Sequence, residues 1–102
     1  MFGLMKKMLG GSTPDLKEVI AKGATIIDVR SKGEYGTGHA KGSINIPLDT
    51  LQGYMPKLDK KKPVITCCAS GMRSSSAKSM LKANGFEEVH NAGPWQNLSK
   101  YL

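Results

Sequence analysis

Short apolar runs rich in β-branched residues alternate with segments of helical periodicity along this chain, and this alternation is what most narrows the fold. Ala24-Thr25-Ile26-Ile27-Asp28-Val29 and Ser43-Ile44-Asn45-Ile46 read as strands. So do Pro63-Val64-Ile65-Thr66-Cys67 and Phe86-Glu87-Glu88-Val89-His90-Asn91. Ahead of the first, Leu16, Val19 and Ile20 fall at helical spacing, with Thr13 as N-cap, Pro14 in the first turn and Gly23 as stop. Ser31 to Gly42 is loop, with one helical turn near Glu34-Tyr35. Asp49 is placed to cap a helix carrying Leu51, Met55 and Leu58, which Pro56 shortens or breaks. A helix over 74–84 sets Ala77, Met80 and Leu81 on one face and stops at Gly85. Ala92-Gly93-Pro94 reads as a turn and 95–102 as a terminal helix. Strands that alternate with helices give an α/β fold, a parallel sheet with helices on both faces.

Ligands in such sheets bind at the carboxyl ends of the strands. At that place stands Cys68-Ala69-Ser70-Gly71-Met72-Arg73, between an apolar strand and the first turn of a helix, Ser74-Ser75-Ser76. A cysteine there meets free backbone N–H groups and the positive helix end, with Arg73 nearby, and all three favour thiolate over thiol. The chain holds only two cysteines, and they are adjacent. Successive strand residues point to opposite faces, so Cys67 and Cys68 do not share one site. Adjacent cysteines build no disulfide framework, and free thiols fit a reducing, cytoplasmic compartment. His39 and His90 lie apart from any Cys/His cluster, so no metal is expected.

Several ordered pieces together carry a family resemblance. Asp28-Val29-Arg30, Glu34-Tyr35, Gly38-His39, Gly42-Ser43-Ile44-Asn45-Ile46-Pro47 and Cys68-x-x-Gly71-x-Arg73-Ser74 occur in one order. The chain, from about residue 14 to its end, resembles a single-domain rhodanese, a sulfurtransferase. The resemblance implies a three-layer fold with a sheet of four or five strands. It implies that Cys68 attacks the outer sulfur of a donor such as thiosulfate, forms a persulfide and passes the sulfur to cyanide or a thiol. Ala69, Ser70, Gly71, Met72 and Arg73 would hold the persulfide and the leaving anion, as fixed donors hold an oxyanion. Asp28 and Arg30 support the site, Arg30 and Glu34 sit at the family's ion-paired loop positions, and no cofactor is needed. A lone histidine in a turn, His39 reads as a hydrogen-bonded structural residue. Trp95 reads as core or pocket wall. The family's closing motif often carries two glycines and two aromatics, where this chain has Ala92-Gly93-Pro94-Trp95-Gln96-Asn97-Leu98. Between Cys68 and Arg73 the loop carries no positive side chain.

Two other readings compete. Thiolate phosphatases and arsenate reductases space cysteine and arginine by five residues, and Cys67-x5-Arg73 has that spacing. Counted from Cys68 the loop is one residue shorter, with room for a sulfur atom rather than a phosphate-like group. The second is a non-catalytic sulfur-carrier or binding module, with a protein as donor or acceptor. The 102 residues suffice for one domain, 13–102, after a short leader, 1–12. Residues 1–9 are too short to span a bilayer, and membrane contact by them is disfavoured. The formal charge of +7 attracts anions in general. Lys60-Lys61-Lys62 has no interleaved aromatics and reads as a solvated loop, so no nucleic-acid partner is expected.

Overall fold

The computed structural model describes residues 15–102. Helix α1 (Leu16–Ala21) leads into β1 (Thr25–Asp28), α2 (Lys32–Gly36), β2 (Ile44–Asn45) and α3 (Leu48–Tyr54). A 3-10 turn (Met55–Lys57) precedes β3 (Val64–Cys68), α4 (Met72–Ala83), β4 (Val89–Pro94) and a closing 3-10 helix (Trp95–Tyr101). The four described strands form one sheet in the order β2-β1-β3-β4, and every pair is parallel.

Strand alternation divides the core into two layers. Ile27, Val29, Val64 and Cys68 face Leu51 and Met55 of the α3 segment and Ala77 and Leu81 of α4. Ile26, Ile65, Cys67 and Ala92 face Val19 of α1 and Leu98 of the closing helix. Helices therefore cover both faces, and β3 is buried at all five residues. A fully buried leucine such as Leu51, Leu81 or Leu98 contributes about 1.5–3 kcal/mol in transfer terms. No described helix is long and apolar enough to cross a membrane.

Some boundaries depart from the sequence pattern. Ala92-Gly93-Pro94 is no turn: β4 runs through it to Pro94, beside β3. The pairing steps from Thr66↔Asn91 to Cys67↔Gly93, leaving Ala92 as an extra residue on β4. The terminal segment is a 3-10 helix. Helix α4 begins at Met72, two residues before the expected start. Asp49 lies in the first turn of α3 and does not cap it; Pro47 holds the N-cap place with φ −52°, and the Asp49 carboxylate still suits the positive helix end. The expected break at Pro56 is the 3-10 turn. Asp15 caps α1 by accepting from the Lys17 amide at 2.9 Å, while Thr13, Pro14 and the leader lie outside the described residues.

Past β1 the chain is held by one buried cation. Arg30 Nε lies 2.9 Å from Asp28 Oδ1, and Nη2 lies 2.7 Å from Oδ2. The same guanidinium donates to the carbonyls of Gly38 at 2.7 Å and Glu34 at 3.2 Å, and it lies 5.2 Å from the Trp95 ring centre. The Asp28 side chain is fully buried and that of Arg30 nearly so. Burying two charges is costly, but here the guanidinium also ties down a loop that has few apolar contacts of its own. Removing one partner strands the other. Arg30→Ala is expected to lower stability by about 3–5 kcal/mol in urea unfolding. Lys22→Ala, which breaks the exposed pair with Glu88, should cost under about 1 kcal/mol. Equal losses would mean that the buried pair is not a main tie of this loop.

Candidate active site

Helix α4 opens on Gly71, which has no side chain to accept from the first amides of the helix. The sulfur of Cys68 stands in that position. It accepts from the Gly71 amide at 2.9 Å and from the Ser74 amide at 3.4 Å. An N-cap side chain ordinarily bonds the amide three residues on, and Ser74 is three residues past Gly71. The loop can bend back this tightly because Gly71 has φ +104°, a region that residues with a Cβ rarely enter. A Cβ at Gly71 would also stand 3.5 Å from the Gly93 Cα of β4.

Ser74 contributes its hydroxyl as well. The thiol donates to Ser74 Oγ at 3.3 Å, and that hydroxyl donates to the Gly71 carbonyl at 3.1 Å. When the thiol ionises, the hydroxyl can turn and donate to sulfur instead. Thr66 on β3 fixes this serine by donating to its carbonyl at 2.9 Å. Burial alone would push the Cys68 thiol up. Bonds from the Ser74 hydroxyl and from the Ser74, Gly71 and Ser70 amides together outweigh it, and the thiol is held below its ordinary value. Cys67 behaves oppositely. It points into the other layer, among Ile26, Ile65 and Leu98, and burial, with Asp28 nearby, pushes its thiol up to about 12.

The expected site residues divide into groups. Cys68 and Gly71 touch directly, while Ala69, Ser70 and Met72 form an exposed rim above the buried sulfur. Arg73 is turned away to Glu34 on α2, with two bonds of 2.7 and 3.0 Å. That pair, with the Ser31 amide, holds the Glu34 carboxyl down to about 2. Arg30 and Glu34 are both ion-paired, though not to each other: Arg30 takes Asp28 and touches Glu34 only at its carbonyl, and the Glu34 side chain serves Arg73. Asp28 and Arg30 thus buttress the neighbouring loop without reaching the sulfur. His39 bonds the Tyr35 carbonyl through Nδ1 at 2.9 Å and stacks on the Tyr35 ring, as a structural residue would. Trp95 packs against the second layer and lies edge-on to Gly38, whose added Cβ would meet it at 3.3 Å. Ser74, Thr66 and the Glu34–Arg73 pairing went unforeseen. Only Ser74 left a sequence signal, as a small hydroxyl residue three places after a helix-starting glycine. Beside the loop, Val29, Ser31, Pro47, Leu48, Asp49 and Arg73 line an open cleft of about 330 Å3.

Comparison with known proteins bears on the family and the fold. The Rhodanese-like domain family matches residues 12–93. Over 68 residues the chain is 38% identical to YqhL, an uncharacterized protein of Bacillus subtilis, covering 67% of this chain and 54% of that one. Over 72 residues it is 36% identical to a tRNA uridine(34) hydroxylase of Escherichia fergusonii, covering 65% of this chain and 21% of the hydroxylase. The chain therefore spans about half of the first relative and about a fifth of the second. Among solved structures, a rhodanese from E. coli is 34% identical with a TM-score of 0.69, over 72% of this chain and 89% of that one. A human single-domain sulfurtransferase shares the fold with a TM-score of 0.71 at 23% identity, over 85% and 91% of the two chains. With a cysteine loop at the carboxyl end of β3 and a family match across most of its length, this chain belongs to the rhodanese-like domain family.

Proposed function

We propose that this protein is a sulfurtransferase in which Cys68 carries sulfur as a persulfide. The observation that supports the reading most is the set of donors aimed at one sulfur, the Gly71 and Ser74 amides and the Ser74 hydroxyl. In the first half-reaction the Cys68 thiolate attacks the sulfane sulfur of a donor such as thiosulfate. The donor's S–S bond breaks, sulfite leaves with the electron pair, and a Cys68 persulfide remains. In the second, cyanide or a thiol attacks the outer sulfur and restores the thiolate. The loop amides of Ala69 to Arg73 stabilise the negative charge on the persulfide, where fixed donors act without reorganising. Neither half-reaction calls for a metal or an organic cofactor. A small anionic sulfur donor, a thiol or cyanide acceptor, either of them free or borne by a protein, and a cytoplasmic setting belong to the same proposal. The phosphatase-like spacing Cys67-x5-Arg73 finds no support, because Cys67 lies in the opposite layer with its thiol pushed up to about 12. Hydroxylation of tRNA uridine is named for relatives of which this chain spans about a fifth, and it does not enter the proposal.

Intact-mass analysis after incubation with thiosulfate or cysteine persulfide is the direct test. One sulfur atom should add to the wild type and to Cys67→Ser, and none to Cys68→Ser. Addition that survives in Cys68→Ser and is lost in Cys67→Ser would reverse the assignment.

The pH dependence has a definite sign. A thiol held below its ordinary value stays ionised to lower pH, so alkylation of Cys68 by iodoacetamide should reach half its plateau below the ordinary thiol range. Ser74→Ala removes the hydroxyl donor, and the midpoint should then rise toward that range. A wild-type midpoint at or above the ordinary value would sink the picture of an activated sulfur.

A further inference from the structure

Thr66 puts a hydroxyl where the packing asks for none. On the face of β3 that meets α3 and α4 it stands between Val64 and Cys68, fully buried. Valine would fill that space with the same shape and no polar group to satisfy. The hydroxyl has one proton and two carbonyls in reach, Ser74 at 2.9 Å and His90 at 3.5 Å. The shorter contact takes it. The Ser74 carbonyl does not need this bond, since it lies inside α4, where the amide four residues on serves it. What the bond adds is a fixed distance between β3 and the first turn of α4. Pairing of β3 with β4 slips between Thr66 and Cys67. The tie to α4 thus sits at the last residue in regular register with β4 before the sulfur.

We propose that Thr66 is a positioning residue of the sulfur site: from β3 its hydroxyl sets where the Ser74 amide and hydroxyl meet Cys68. Those two groups lie 3.4 and 3.3 Å from the sulfur. A helix start that drifts outward lengthens both contacts at once, while the Gly71 bond of 2.9 Å belongs to the loop. The inference rests on the sulfurtransferase reading for its functional meaning, since the thiolate that these groups favour is the species that takes up sulfur. Thr66 makes no hydrogen bond to the sulfur and acts through Ser74. The charged groups around the site have partners or places of their own. Arg73 on α4 is paired with Glu34 on α2, and Asp28 with Arg30 after β1. Asp49 of α3 lines the cleft with Arg73, and Cys67 faces the other layer. None of them bonds the Thr66 hydroxyl.

The experiment is the pH profile of Cys68 alkylation by iodoacetamide in wild type, Thr66→Val, Thr66→Ser and Thr66→Ala, with urea unfolding run beside it. Thr66→Val should raise the midpoint, as Ser74→Ala does. It should slow alkylation at neutral pH about two- to tenfold, the range that one ordinary hydrogen bond commands. Thr66→Ser keeps the hydroxyl and should restore the wild-type profile, whereas Thr66→Ala should follow Thr66→Val. Serine and alanine both leave the space of the methyl group empty, so packing alone would move their two profiles together. That comparison also decides the matter if Thr66→Val does not fold. The double variant Thr66→Val with Ser74→Ala should shift by less than the sum of its parts, because one residue acts through the other. A folded Thr66→Val with the wild-type midpoint, equal profiles for serine and alanine, or additive shifts would each overturn the inference. A wild type that gains no sulfur from thiosulfate or cysteine persulfide, with the alkylation differences in place, would instead overturn the sulfurtransferase reading and leave the positioning by Thr66 standing.

Discussion

The helix that frames the site starts on a glycine, and the sulfur of Cys68 accepts the amide that a capping side chain would normally take. Much of the local architecture follows from that substitution. A helix N-terminus needs an acceptor, and a sulfur near several amides is favoured as an anion. The same bonds that begin α4 thus favour the thiolate of Cys68. Structure and chemistry are coupled here, because the groups that fix the loop are those that lower the thiol.

Two contacts keep the sulfur at that distance. Thr66 and Cys68 fall on the same face of β3, and the Thr66 hydroxyl holds the Ser74 carbonyl at 2.9 Å. Strand and helix are therefore joined at the residue that also touches the sulfur. From the other side β4 carries Ala92 as an extra residue, which sets Gly93 against Cys67 and brings its Cα close to Gly71. Two glycines in left-handed conformations, at φ +104° and +78°, let the two backbones pass. The buried Arg30 provides the third support at one remove, since it fixes the carbonyl of Glu34 whose carboxylate grips Arg73.

The sequence conveyed the layers well and the side-chain pairings poorly. Strand and helix order followed from periodicity because buried strands such as 64–68 are almost wholly apolar, and the two-residue period alone separated Cys67 from Cys68. The β4 extension was hidden because Ala92-Gly93-Pro94 has the composition of a turn, and only the neighbouring strand makes it pair. Glu34 and Arg73 stand 39 positions apart, and no local rule pairs residues so far removed. Ser74 looked like one of three equivalent serines, yet it is fully buried while Ser75 and Ser76 are exposed. Its role depends on the angle at which α4 leaves Gly71, a tertiary property.

Net charge and local charge act over different ranges. At physiological ionic strength a field is screened over about 8 Å, so the excess of lysines draws anions toward the molecule without choosing among them. Discrimination between ligands falls to groups at contact range. In the first turn of α4, Arg73 is engaged by a carboxyl held down to about 2, which stays ionised across the neutral range. Because both partners are partly exposed, the pair is held by geometry more than by energy, and its two-bond fork with Glu34 fixes where the guanidinium points.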